Sequence, residues 1–140
     1  MLKNIFEIAG TALNAQTIRM NTTASNLANA GSVSPNENEA YRSKRPVFRA
    51  LVEQSDLNQG FNVLGGVKVK EIVDTTDPVR KVHDPGNPEA NDEGFIYLSN
   101  VNEVTEMVEM VAASRSFQNN VEVVSTARQL MMRTLDIAKA

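Results

Sequence analysis

MNTTASNLANAG, residues 20–31, closes the first long helix that the sequence predicts, and it holds no charge, no aromatic ring and almost nothing large. From Ile8 to Asn36 the only charged residue is Arg19. A helix with one side in water normally shows that side charged groups. Here asparagine, threonine, serine and alanine stand in their place. Ala24, Ser25, Ala28 and Ala30 permit close backbone approach. Asn26 and Asn29 can hydrogen-bond without the desolvation cost of a buried charge. Two readings fit: a helix enclosed on several sides in an assembly, or a small-residue crossing inside one domain. Composition alone leaves both open.

Working outward, Leu2, Phe6, Ala9, Leu13, Gln16, Met20, Thr23, Leu27 and Ala30 step alternately by four and three, a heptad seam for another helix. The predicted helix covers residues 1–30, roughly 45 Å at 1.5 Å per residue. Gly31 stands where helices stop in a left-handed turn. A second long helix is predicted over residues 100–139, capped by Asn100 or Asn102. Glu103, Glu106 and Glu109 lie at its start and Arg128, Arg133 and Lys139 toward its end, the polarity that favours the helix dipole. Val101, Val104, Met107, Val108 and Val111 open an apolar stripe, which Phe117, Val121, Val124, Met131, Leu135 and Ala138 are expected to continue.

Residues 31–99 contain all five prolines and six of the seven glycines. GGVKVKEIV (65–73), PVRKV (78–82) and GFIYLS (94–99) alternate as strands do. DPGNPEANDEG, between the last two, reads as a hairpin loop. SVSPNENE (32–39) reads as an exposed loop. The expected fold is mainly α with a small β-rich insert, the terminal helices paired antiparallel as a coiled coil. The domain division is residues 1–31, 32–99 and 100–140, with both helices in one core domain. Two helices alone cannot cover both apolar stripes, and a wet seam forfeits ~25 cal/mol per Å² of apolar area. Helical partners outside the chain are therefore expected.

The bulk numbers exclude much. A net charge of −3 over 140 residues gives no strong field toward nucleic acid or an anionic membrane. The absence of cysteine excludes disulfides and thiolate metal sites. MLKNIFEIAG lacks the basic and apolar segments of a cleaved signal peptide. No stretch approaches the ~20 apolar residues of a membrane span.

The motifs that suggest chemistry are weak. His83 beside Asp84 offers a general base, but no cysteine is available and no serine lies in a nucleophile elbow. GFNVLGGVK, from Gly60, imitates a phosphate loop, yet Gly66 and Val67 occupy the lysine and hydroxyl positions. Asp84, Glu89, Asn91, Asp92 and Glu93 do not follow calcium-loop spacing. Arg42, Lys44, Arg45 and Arg49 form a basic cluster without the breadth or stacking aromatics of a nucleic-acid surface. Met107, Met110, Met131 and Met132 sit at packing intervals. No enzyme activity and no cofactor are expected.

NIFEIAG, ASNLANA, YRSKRPVF, GGVKV, HDPGNPEA, GFIYL and NVNEVTEMVEMVAASRSFQNNVEVVSTARQLMMRTLDIAK together resemble the bacterial flagellar basal-body rod proteins of the FlgC type. ASNLANA is shared widely among rod and hook proteins, whereas the DPGNP turn and EMVEMVAASRSFQNNVEV are more specific. Residues 50–64 carry no signature. The resemblance implies a structural subunit of the proximal rod, a hollow axial tube in the periplasm that transmits torque and lets exported subunits pass. It implies export by the flagellar type III apparatus without a cleaved signal. Implied partners are further copies, other rod proteins, the membrane-ring and export-gate end, and the distal rod, without nucleic acid or membrane insertion. Asn26, Leu27, Asn29, Met107, Met110, Ser114, Phe117, Asn120, Val121 and Val124 are the interface positions it carries over. The seam residues Leu2, Phe6, Ala9, Leu13, Met20, Val104, Val111, Met131 and Leu135 join them. The rival reading is a cytoplasmic helical adaptor or type III secretion chaperone.

Overall fold

The computed structural model describes the backbone of residues 2–51 and 65–139, and side chains from Asn4 onward. Most of GFNVLGGVK and of residues 50–64 lies outside the described residues. In chain order the elements are α1 (Leu2–Ala28), β1 (Val33–Ser34), β2 (Lys44–Ala50), β3 (Val67–Asp74), β4 (Arg80–His83), β5 (Phe95–Leu98) and α2 (Glu103–Lys139).

Both helices form where the apolar periodicity predicts, with ends set by side chains. Gly31 is not the left-handed stop: the positive-φ glycines among the described residues are Gly65, Gly66 and Gly94. The carbonyls such a glycine would help satisfy find other donors. Asn29 Nδ2 donates to Ser25 O at 2.8 Å, and Ser32 Oγ donates to Asn29 O at 2.8 Å. At the start of α2, Asn102 is the cap, accepting from Thr105 N at 3.0 Å. Asn100 is occupied elsewhere.

Among the described residues the insert contains two small antiparallel sheets. One has the strand order β1-β5-β4; the other pairs β2 with β3. β4 and β5 form the expected hairpin, with His83 opposite Phe95 and Arg80 opposite Leu98. Its loop is held by Asn91, whose Oδ1 accepts from Glu93 N at 3.1 Å and Phe95 N at 2.9 Å. Two strands escaped the periodicity. Val33–Ser34, expected as loop, pairs with Leu98 and Tyr97. The basic stretch from Lys44 is β2, whose ladder with β3 shifts register between Val47 and Phe48. Charges at Lys44, Arg45 and Arg49 and a proline at 46 mask its alternation, which suits a ribbon exposed along much of its length.

α1 is the central element. α2 packs against one side of it and the β2–β3 ribbon against another. Ala9, Thr23 and Ala30 are buried along the predicted seam, while Ala15, Thr22 and Asn26 are buried on a neighbouring line. The lone charge of the segment has a place too: the Arg19 guanidinium lies 4.9 Å from the centre of the Phe48 ring. The chain's own elements thus account for part of the neutral stretch. Asn21, Ala24, Ser25 and Ala28 remain exposed.

On α2 the buried residues are Glu106, Ala113 and Ala127. With half-buried Met110, Phe117, Asn120, Val124 and Met131 they step by four and three along one line. The single stripe expected from sequence is therefore two faces. Val104, Met107, Val108 and Val111 point about 150° away from the α1-facing line, at 100° per residue. The six-residue step from Val111 to Phe117 rotates the pattern by about 120° and breaks it. The last turn of α1 meets the first turns of α2 at Asn26 and Glu106, and burial continues along α2 to Met131, so the helices lie side by side in opposite directions. α2 has 37 residues and α1 has 27, and from Met132 to Lys139 every residue of α2 is exposed.

The core is thin. Among the described residues, the largest fully buried side chains are Asn26 and Ser99. The accessible surface is 10068 Å². A compact chain of 15.3 kDa exposes about 7,100 Å².

Candidate assembly interface

Where α1 ends, β2 starts and α2 starts, one buried amide organises three chain segments. Asn26 is 1% exposed. Its Oδ1 accepts from Lys44 N at 2.9 Å and its Nδ2 donates to Lys44 O at 2.9 Å. The carboxamide thus pairs with the Lys44 peptide as a neighbouring strand would, closing the edge of β2 where it meets the helix. Oδ1 also accepts from Tyr41 OH at 3.0 Å. Nδ2 further approaches Glu106 Oε2 at 3.1 Å and Ser43 Oγ at 3.2 Å. With two hydrogens and three acceptors, one of these contacts is shared.

Glu106, 3% exposed, is the charged member of this joint. Its Oε1 accepts from Ser43 Oγ at 3.3 Å and lies 3.7 Å from the Arg45 guanidinium. Arg45 also bonds Glu109 at 3.1 Å, at the solvent edge. A buried carboxylate is tolerated when hydrogen bonds and an opposite charge surround it. Asn100 ties in the rest of the insert. Its Oδ1 accepts from Ser43 N at 2.7 Å, and its Nδ2 donates to Thr75 Oγ1 at 3.0 Å and Asp77 O at 2.8 Å. Ser99 Oγ donates to Ala30 O at 2.6 Å, closing the neck between β5 and α1. A second anchor holds the far end of the ribbon: Thr11 Oγ1 accepts from Val67 N at 3.2 Å.

The expected interface residues whose side chains are described fall into three groups. Ala9 and Asn26 are buried by their own chain. Phe6, Leu13, Met20, Leu27, Asn29, Met110, Ser114, Phe117, Asn120, Val124 and Met131 are half-buried. Val104, Met107, Val111, Val121 and Leu135 are exposed, Val104 by 72%. The side chain of Leu2 lies outside the described residues. Val108, absent from the expected set, is 64% exposed and completes the outward apolar face of α2. The sequence presents Glu106 as a dipole residue; its position on the α1-facing heptad line is the signal of its burial. Tyr41, Ser43 and Lys44 lie in YRSKRPVF, but nothing in that stretch signals their role at the joint, which depends on a fold contact with Asn26.

The chemistry candidates do not form sites. His83 stands exposed on β4 with its ring edge-on to Phe95, centroids 4.9 Å apart. Among the described residues, no group of three or more His, Cys, Asp or Glu side chains gathers to hold a metal, and no helix is long and apolar enough to cross a membrane.

This architecture has relatives. The family model described as "Flagella basal body rod protein" matches residues 6–31, and that of the "Flagellar basal body rod FlgEFG protein C-terminal" matches residues 92–137. The flagellar basal-body rod protein FlgC of Yersinia enterocolitica is 44% identical over 138 residues, 99% of this chain and 98% of the relative. The chain belongs to the FlgC family of flagellar basal-body rod proteins. FlgC of Salmonella typhimurium is likewise 44% identical over 138 residues, covering 99% of this chain and 98% of its own length. FlgC of Buchnera aphidicola from Acyrthosiphon pisum is 42% identical over 140 residues, with 99% and 98% covered. The two matched segments cover most of α1 and of α2, the elements that meet at the Asn26–Glu106 joint.

Proposed function

We propose that this FlgC-family chain is a structural, non-enzymatic subunit of the flagellar proximal rod. Its terminal helices pair as a coiled coil and pack with those of neighbouring subunits into a hollow axial tube. Residues 1–31 and 100–140 act as one core domain of that tube, and residues 32–99 form its outer contacts. The tube transmits torque and leaves a channel for exported subunits. The subunit is itself exported by the flagellar type III apparatus without a cleaved signal and works in the periplasm. Its partners are copies of itself and other basal-body proteins. A cytoplasmic adaptor or chaperone is not favoured by the family.

One observation carries this reading. Val104, Met107, Val108 and Val111 form an apolar face, 52–72% exposed, on the side of α2 away from α1. A helix that is apolar on opposite sides is built to be enclosed, and continuous exposed apolar surface marks an interaction site. Val111→Asp tests the assignment. The residue makes little intrachain contact, so the purified variant keeps its fold. Cells carrying it should be exported-competent but non-motile, with incomplete rods by electron microscopy. Normal swimming would overturn the interface.

A further inference from the structure

We propose that copies of this chain dock side by side, the outward α2 face of one entering the groove between α1 and β3 of the next. This deepens the rod reading and rests on it. The groove is open, about 310 Å³, and is lined by Ile18, Asn21, Thr22, Ser25, Lys44 and Ile72. At 100° per residue, Ile18, Asn21 and Ser25 point about 80–140° away from Asn26, the α1 residue bonded to Glu106 of α2. The groove therefore lies on a flank of α1 turned away from Glu106, and the apolar face lies on the flank of α2 turned away from α1.

The two surfaces are also level. Asn26 lies against Glu106 and the helices run in opposite directions. Residue i of α1 thus stands beside residue 132 − i of α2, which sets residues 18–25 beside 107–114. Different surfaces at equal height give a heterologous contact that propagates sideways with little rise, as a ring or shallow helix requires.

Their chemistry matches. Ile72, 51% exposed, and half-buried Ile18 offer apolar surface beside the uncharged Asn21, Thr22 and Ser25. The visiting face presents Val104, Met107, Val108 and Val111 at the i, i+3, i+4, i+7 spacing of a helix seated in a groove. Lys44 stands exposed at the groove wall, and Glu103 stands exposed beside Val104 and Met107. Neither belongs to an ion pair among the described residues, where the pairs are Arg45–Glu106, Arg45–Glu109 and Lys70–Glu71. Across the contact these two charges meet.

The sequence contains no cysteine, so disulfide trapping has no background. Asn21→Cys and Val108→Cys are placed in one full-length chain, the only copy in the cells, and the cells are oxidised before basal bodies are purified. The two positions point away from the contact between two helices whose axes are ~8–10 Å apart, beyond the ~4.4–6.8 Å between Cα atoms that an internal disulfide needs. The expected result is a ladder of dimer, trimer and higher species on a non-reducing gel, with each single variant monomeric. Lys44→Glu in the double variant should lower the ladder several-fold, and Glu103→Lys added to it should restore the yield. Basal bodies that contain the chain but yield no ladder overturn the contact and leave the rod reading standing. So does dimerisation of Val108→Cys alone. A chain missing from basal bodies overturns the rod reading, and the contact with it.

Discussion

Asn26→Asp preserves the shape of the buried joint and inverts its chemistry. The aspartate can still accept from Lys44 N and Tyr41 OH, but it no longer donates to Lys44 O, Ser43 Oγ or Glu106 Oε2. It also sets a second carboxylate beside Glu106, at a site where the amide now stands 3.1 Å from Oε2. Two unit charges at that separation repel by about 5 kcal/mol at an effective dielectric constant of about 20. Rotation apart and the nearby Arg45 offset some of this, leaving a net loss of about 3–5 kcal/mol, the range for an uncompensated buried charge. Folded domains have only about 5–15 kcal/mol in total. At about 3–5 °C per kcal/mol for a chain of this size, the melting temperature should fall by roughly 10–20 °C. The assay is thermal unfolding of the full chain by circular dichroism for Asn26→Asp, Glu106→Gln and the double variant. In the double variant the new glutamine amide can donate to the new aspartate. It should therefore be more stable than the sum of the single losses implies, by about 2 kcal/mol or more. Additivity within ~0.5 kcal/mol would refute direct pairing at the joint.

Three further outcomes follow from the packing. Ala113, at 0% exposure, faces α1; Ala113→Leu should overpack that line and cost about 1–3 kcal/mol in a denaturant melt, and an unchanged midpoint would mean the helices are not in close contact there. Phe117→Asp buries a charge on the α1-facing line and should cost the isolated chain about 2–4 kcal/mol, whereas Val111→Asp should stay within ~0.5 kcal/mol while abolishing swimming; equal losses of stability would overturn the assignment of two faces. Gly65 has φ +64°, and an added Cβ would lie 2.9 Å from Ile8 Cδ1; Gly65→Ala should lower stability by about 1–2 kcal/mol, while Gly31→Ala, which meets nothing within 4 Å, should be neutral or raise it by about 0.4–1 kcal/mol. Comparing the two melts checks which glycine the backbone requires.

Much of the architecture is written in local pattern. Heptad spacing alone places α1 and α2, because an amphipathic helix repeats its apolar positions wherever it docks. Turn formers alone place the β4–β5 hairpin, since Gly94 and the asparagine loop act within a few residues. The resemblance to rod proteins rests on motifs in these same segments together with YRSKRPVF and GGVKV. β2 was not legible, because its charged residues face solvent and its edge is satisfied by an amide 18 residues earlier in the chain. The division of the α2 stripe was hidden as well: the spacing between Val111 and Phe117 gives a rotation, and only the position of α1 says which side is inside.

The sequence by itself determined that two long helices, the first almost uncharged, flank a β-rich insert and carry more apolar surface than one chain can cover. The tertiary structure alone decided which residues the chain keeps for itself and which it leaves exposed. Asn26, Ser43 and Glu106 are ordinary polar residues until folding brings them within 3.3 Å of one another. A buried hydrogen-bond network has no periodicity to read, because its partners are chosen by proximity in space and not by spacing along the chain.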